Sequence, residues 1–196
     1  MQLKNTVNSN LILICVSVVI LFVVASYDVN FLNYQAPMPY ASRAEITWND
    51  FKGRNKPYRT LDGEDKIAFI STQIKADYSE DGNIRITTYF HPSRSYVYSQ
   101  NILDNALLEH ELYHLHITEA IARRMRNKIS ESQSKEAIDL SQYLSTFLQK
   151  EDSMQRAYDT ETYHGYVLNR QKMWQKTVDN YLLALEKFSN PVVKLN

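Results

Sequence analysis

The sequence is poor in cysteine, glycine and proline. Its 196 residues include 1 Cys, 4 Gly and 5 Pro. The lone Cys15 cannot form an intramolecular disulfide, and it lies in the most apolar stretch of the chain. A thiolate metal site or a cysteine nucleophile in the folded part is therefore excluded. The scarcity of glycine and proline leaves little material for tight turns, which favours long helices.

The chain also lacks net charge, with 22 Lys+Arg balanced by 22 Asp+Glu. A zero balance argues against a protein whose main role is to hold nucleic acid. The basic run 123–128 closes a predicted helix, where the helix dipole and solvation already explain it. Hydrophobic residues make up 44% of the chain, which suits a single domain with its own core.

Residues 1–25 are predicted to be a signal peptide or an uncleaved signal anchor. The run from Leu11 to Ala25 carries no charge, and as a helix it would be roughly 22 Å long, short of the ~30 Å of a bilayer's hydrocarbon core. That length suits a signal-peptide core, with small residues before Ser26 for cleavage. The sequence thus predicts a secreted or periplasmic protein, in contact with the membrane only through this segment.

Hydrophobic periodicity predicts an α+β domain, with a small antiparallel sheet followed by long helices. Apolar alternation over 70–78 and 84–90, with Asp81-Gly82 between them, predicts a hairpin with one buried face. A period of 3.6 then predicts one helix over 102–128 and two or three more over 135–188. Short strands are expected at 46–48 and 95–99. The expected organisation is an irregular segment 26–44, a domain 45–189 and a C-terminal tail 190–196.

The pattern that carries chemistry is His-Glu-x-x-His at residues 110–114. Two histidines at i and i+4 lie on one face of a helix, so both imidazoles reach one metal ion. Glu111 stands beside that ion, where a carboxylate can take a proton from water. Neutral nitrogen ligands, an open coordination position and such a carboxylate are what hydrolytic zinc sites use.

The context of the motif favours a metal site over a pair of core histidines. The face of the helix that carries His110 and His114 is otherwise apolar, with Leu103, Leu107, Ile117 and Ile121. An unpaired polar ring on such a face costs free energy, and ligation removes that cost. The alternative is that both rings bond to backbone groups or tyrosine hydroxyls in the core.

The third ligand must come from elsewhere in the chain. His116 and Glu119 point about 240° and 180° away from His110 on a regular helix, so both are rejected as ligands. Glu119 is expected to be either a solvated carboxylate or one that supports a ligand, and His116 a surface ring. His91 has no ligand-like neighbours. His164 is the preferred third ligand, with Glu161 and Asp159 as carboxylate alternatives. A merely exposed ring at 164 remains the simpler reading.

Two segments resemble a bacterial family of secreted, zinc-dependent proteases that were long classed as a domain of unknown function. The family's helix reads His-Glu-Gln-x-His-Phe-Asp-Ile-x-Glu, and residues 110–119 match it except at Leu112, Leu115 and His116. Its later segment reads Tyr-Asp-x-x-Thr-x-His-Gly, and residues 158–165 match that pattern. The resemblance covers roughly residues 45–185 and implies a zincin-like metallopeptidase fold.

Together, the motif and the resemblance predict a zinc peptidase acting on a peptide or protein. His110, His114 and His164 are expected to hold Zn²⁺, with Glu111 as general base. A tyrosine at 158, 163 or 166 is a candidate donor to the oxyanion, and strand 84–90 or 95–99 a candidate guide for the peptide. The competing hypothesis is a zinc-stabilised envelope module that binds a partner without turnover.

Overall fold

The computed structural model of the chain describes residues 12–20, 33–53, 68–97, 104–132 and 139–195. Residues 12–20 form a helix, α1, and the rest of the predicted signal segment lies outside the described residues. Among the described residues, no helix combines the length and apolar character needed to cross a membrane.

A four-stranded antiparallel sheet forms the first layer of the fold. Its long strands are β3 (Thr72–Tyr78) and β4 (Ile84–Phe90), which pair over their full length as the alternation predicted. Short strands β1 (Met38–Pro39) and β6 (Val192–Val193) pair with opposite ends of β4. A separate pair joins β2 (Ala68–Phe69) to β5 (Tyr96–Val97), which is the described part of the strand expected at 95–99.

Strands from both ends of the chain therefore belong to the domain. Residues 38–39 and 192–193 lie outside the predicted 45–189 domain, yet both complete the sheet. Tyr40 and Val193 are buried in the core. The strand expected at 46–48 is wrong, because Trp48–Asp50 forms a 3-10 turn whose start is capped by Asp50 on Thr47.

Three helices form the second layer. They are α2 (Asn105–Ser130), α3 (Leu140–Thr162) and α4 (Leu168–Ala184). Asp104 and Asp139 cap the first two, each accepting a hydrogen bond from a free amide of the first turn. The α+β order predicted from the sequence, a small sheet followed by long helices, is confirmed.

Helix α2 lies at the centre and is covered on both sides. One side packs on the sheet, where Ile121, Met125 and Ile129 meet Ile74 and Ile86. The other side meets α3 and α4, where Ile117 contacts Tyr158 and Val178. A helix enclosed in this way has no solvent-facing stripe over most of its length, which changes the environment of its polar residues.

The clearest result of that enclosure is a buried ion network on α2. Glu119 is 2% exposed and accepts hydrogen bonds from Arg123 and Arg126. Arg123 also reaches Glu186, beyond α4. Of the two roles expected for Glu119, the solvated one is wrong, and the partners of the carboxylate are arginines rather than a motif histidine. It does point away from the motif histidines, as the helix geometry predicted, but residues 182–188 cover that side of α2.

His116 is likewise half-buried rather than a surface ring. Its Nδ1 lies 2.7 Å from the Tyr40 hydroxyl, and the ring packs edge-on against Tyr40 and Tyr113. Burial, assisted by the positive charge of Arg43, lowers the pKa of His116 from 6.5 to about 4. The folded state therefore favours the neutral ring.

This pKa shift predicts that the free energy of unfolding depends on pH below about 6.5, and that His116→Gln makes this dependence weaker. Between pH 6.5 and 4 the unfolded chain takes up a proton at residue 116 that the folded chain refuses, so the free energy of unfolding falls as the pH falls. The slope for one proton is at most about 1.4 kcal/mol per pH unit. Urea unfolding of both proteins from pH 4.5 to 7.5 measures it, and parallel curves would contradict the prediction.

Candidate metal centre

The two motif histidines lie side by side in the second to third turn of α2. Their ring centroids are 5.0 Å apart and their planes are nearly perpendicular. His110 is 1% exposed and Glu111 is 4% exposed, while His114 is half-buried. All three line one cleft of about 580 Å³ between the helices and residues 68–72. The helical spacing thus delivers both rings and the carboxylate to the same cavity, as the sequence predicted.

Helix α3 brings Asp159 into contact with both rings. Its Oδ1 lies 3.2 Å from His110 Nε2 and 3.0 Å from His114 Nε2. One ligand atom from each of these three residues lies within 4.8 Å of the other two, which makes them a possible metal-binding triad. Two imidazole nitrogens and a carboxylate oxygen are a donor set that divalent transition metals accept.

His164, the preferred third ligand, lies next to this triad but is not part of it. Its Nδ1 is 3.4 Å from Asp159 Oδ1, and the ring lines the same cleft. Glu161, the other alternative, is exposed and accepts a hydrogen bond from the Trp174 indole instead. The position foreseen for His164 is therefore taken by Asp159, which the sequence offered only as an alternative.

The way in which α3 ends explains why Asp159, rather than His164, contacts both motif histidines. Tyr163 and His164 both have φ of 52°, and Gly165 has φ of 90°. Three successive residues in the left-handed region end the helix abruptly and turn the chain back across it. Asp159 stays on the last regular turn, which faces α2, and His164 comes after the turn, at the rim. A Cβ on Gly165 would lie 3.1 Å from His110 Cγ, so this backbone packs directly on the ring.

Hydrogen bonds and burial set the protonation of the triad. Burial lowers the pKa of His110 to about 4, despite the neighbouring Asp159. For His114, burial acts in the same direction, but the hydrogen bond and negative charge of Asp159 outweigh it and raise the pKa. The three histidines hold the pKa of Asp159 far below its usual range, although burial alone would raise it. The carboxylate is thus ionised, and its charge favours the protonated form of His114.

The candidate tyrosines divide into one buried residue and two exposed residues. Tyr158 is fully buried, stacks on His110 with centroids 4.6 Å apart, and its hydroxyl lies 3.4 Å from the His110 carbonyl oxygen. It does not line the cleft and cannot donate to a substrate there. Tyr163 and Tyr166 line the cleft with exposed rings, and they keep the donor role as an expectation.

Behind His114 lies a polar cluster that the sequence reasoning missed. Gln155 Oε1 is 2.6 Å from His114 Nδ1, and Thr118 donates to Glu151 at 2.7 Å. Burial raises the pKa of Glu151, although the hydrogen bonds to its carboxylate oppose this. The available signal was the four-residue spacing of Glu151, Gln155 and Asp159, which puts three polar side chains on one face of α3.

Strand 84–90 or 95–99 is the element expected to guide a peptide. Strand β4 has β3 along one edge and β1 and β6 at the two ends of the other, and neither residues 84–90 nor Tyr96–Val97 line the cleft. Residues 68–72 form the cleft wall instead.

Comparison with known proteins adds no relative. The chain matches no protein-family model, no curated protein and no solved structure. The chemistry of the site therefore has to be argued from its own residues.

Proposed function

We propose that this protein is a zinc-dependent peptidase of the zincin type, as the resemblance to the secreted bacterial proteases implies. One observation carries the proposal: His110, His114 and Asp159 present their ligand atoms within 4.8 Å of one another, and Glu111 opens into the same cleft. A purely structural metal site has no need of a carboxylate in the residue after its first ligand. We propose export to an extracytoplasmic compartment as its location.

The donor set fits Zn²⁺. Two neutral imidazoles and one carboxylate, with a further position left to water, form a common catalytic zinc site. In this protein the ligands would be His110 Nε2, His114 Nε2 and Asp159 Oδ1, the atoms that face one another. When bound, the ion supplies a Lewis acid that lowers the pKa of water and polarises a carbonyl group.

The remaining steps belong to the protein's own side chains. Glu111 accepts the proton of the attacking water on its carboxylate and then gives that proton to the leaving amine. Tyr163 and Tyr166 line the cleft and are the candidate donors to the oxyanion. Residues 68–72 form the wall along which an extended peptide can lie, and Phe69, 38% exposed, offers an apolar contact at its end.

A closed, non-catalytic zinc site is the alternative that one observation favours. His164 Nδ1 lies 3.4 Å from Asp159 Oδ1, close enough that a small movement of the ring would supply a fourth protein ligand. A site with four protein ligands stabilises a fold and leaves no position for water. In that case removal of the metal would unfold the domain, because its binding free energy would be folding free energy.

The test is proteolysis by the purified chain with zinc and after chelation. The zinc-loaded protein should cleave members of a peptide library, detected by mass spectrometry, and chelation should stop cleavage while the helical circular dichroism persists. Readdition of zinc should restore activity. Unfolding on chelation, without cleavage beforehand, would favour the structural module and contradict the peptidase.

A further inference from the structure

The side chain of Gln155 touches His114 at two points. Gln155 Oε1 lies 2.6 Å from His114 Nδ1, and Gln155 Nε2 lies 2.9 Å from the backbone carbonyl oxygen of His114. The residue on α3 therefore bridges the ring and the backbone of a residue on α2. Such a double contact fixes where the ring lies and also which of its nitrogens carries a proton.

The orientation of the Gln155 amide follows from its neighbours. The carbonyl oxygen of His114 is only an acceptor, so the amide nitrogen must be the group that faces it. The reversed amide would bring two oxygens to 2.9 Å and would be repelled. Nε2 also lies 3.1 Å from Thr118 Oγ1 and 3.5 Å from Glu151 Oε1, which adds a further acceptor on the same side.

The tautomer of His114 follows in turn. Because Gln155 presents its oxygen to Nδ1, that nitrogen must donate and therefore carries a proton. The lone pair of a neutral His114 ring is then on Nε2, the atom that lies 3.0 Å from Asp159 Oδ1. A metal ion in the triad needs its ligand electron pair at this atom.

The cluster behind Gln155 holds it in this orientation. Thr118 Oγ1 lies 2.7 Å from Glu151 Oε1 and 2.8 Å from Thr72 Oγ1, so the two groups that the amide contacts belong to a cluster that joins α2, α3 and β3. Gln155 also lines the cleft beside the triad. A side chain already held by such a cluster loses little entropy when the ring it supports binds a metal ion.

We propose that Gln155 is the positioning residue of the metal centre, holding His114 with its proton on Nδ1 so that Nε2 is the metal ligand. This inference rests on the proposed function for the metal itself, but the tautomer is a property of the chain alone. Gln155 is not one of the triad residues and acts through His114. Nothing in the pattern of residues 110–114 requires it, since the partner comes from 41 positions along the chain.

The experiment compares Gln155→Met with Gln149→Met, an exposed glutamine on the same helix. Zinc affinity is measured by competition with a chromophoric chelator. Gln155→Met should weaken binding by about 10–100-fold, and Gln149→Met should leave it unchanged. An affinity of Gln155→Met within twofold of the wild-type value would overturn the proposal.

Imidazole ¹⁵N spectra of the metal-free chain at pH 9 give a second readout, independent of activity and of any variant's folding. His114 should carry its proton on Nδ1 in the wild-type protein and in Gln149→Met, and lose that preference in Gln155→Met. A wild-type His114 protonated on Nε2 would overturn the inference. A wild-type chain that binds no zinc would instead overturn the proposed function, while the tautomer still decides the role of Gln155.

Discussion

Glu111→Gln is expected to lower kcat for peptide cleavage by about 10²–10⁴-fold while the protein keeps its metal. Glu111 is the acidic residue of the motif, 4% exposed at the floor of the cleft. Glutamine has nearly the same shape but cannot accept and return a proton at that position. KM should change little, because the wall at 68–72 that would hold the peptide is untouched.

The matched control for this variant is Glu109→Gln, two residues earlier on the same helix and exposed. Its kcat should lie within twofold of the wild-type value. Metal analysis of both variants separates loss of the base from loss of the ion. A Glu111→Gln protein with more than a tenth of the wild-type kcat and full metal content would show that another group accepts the proton.

Arg126→Met is expected to destabilise the fold by about 3–5 kcal/mol. The guanidinium is 2% exposed and donates to both oxygens of Glu119. It also donates to the carbonyl oxygens of Ile86, on β4, and Phe188, after α4. Methionine fills much of the volume but leaves these carbonyls without their donor and Glu119 with only Arg123. A loss of that size is a large part of the 5–15 kcal/mol typical of a domain.

Arg124→Met is the control, since Arg124 is exposed on the same turn of α2. Its effect on the free energy of unfolding should stay within about 0.5 kcal/mol. Replacing both partners, in Glu119→Leu/Arg126→Met, should recover part of the loss because the Glu119 carboxylate is removed with its partner, while Arg123 keeps Glu186. Equal denaturation midpoints for Arg126→Met and Arg124→Met would contradict the role given to this network.

The part of the site that could be predicted is the part encoded within one helix. The spacing of His110 and His114 fixes their common face by local geometry, whatever packs around them. The contact with Asp159 is different, because it depends on how α3 lies against α2 and on where α3 ends. The left-handed residues Tyr163 and His164 decide that end; histidine adopts this conformation more often than most residues, but a tyrosine gives no sign of it in a sequence.

The prediction that Glu119 is exposed to solvent was wrong for a related reason. A helical wheel assumes one apolar face packed on a core and one polar face in water. Helix α2 instead has the sheet on one side and α3 and α4 on the other, so its polar face became a buried ion network. The basic run 123–128, which was expected to be solvated, is therefore only partly exposed: Arg123 and Arg126 are buried, while Arg124 and Lys128 are exposed.

The short strands β1 and β6 could not be predicted from hydrophobic periodicity. Strands β1 and β6 have two residues each, too few for an alternation to be recognised. Long-range pairing with β4 forms them, and the long strands with clear alternation are the ones the sequence predicted. Hydrophobic alternation thus predicted the long strands, which have a regular buried face. The short strands form only through tertiary contacts, which a local pattern does not show.

The proposed function requires His110, His114 and Asp159 to bind one metal ion, and metal analysis of the purified chain measures this. Asp159→Asn and His164→Gln are measured beside the wild-type protein. Close to one zinc per chain is expected in the wild-type protein and in His164→Gln, with most of it lost in Asp159→Asn. A wild-type chain without bound metal would refute this site, and so would zinc retained by Asp159→Asn but lost from His164→Gln.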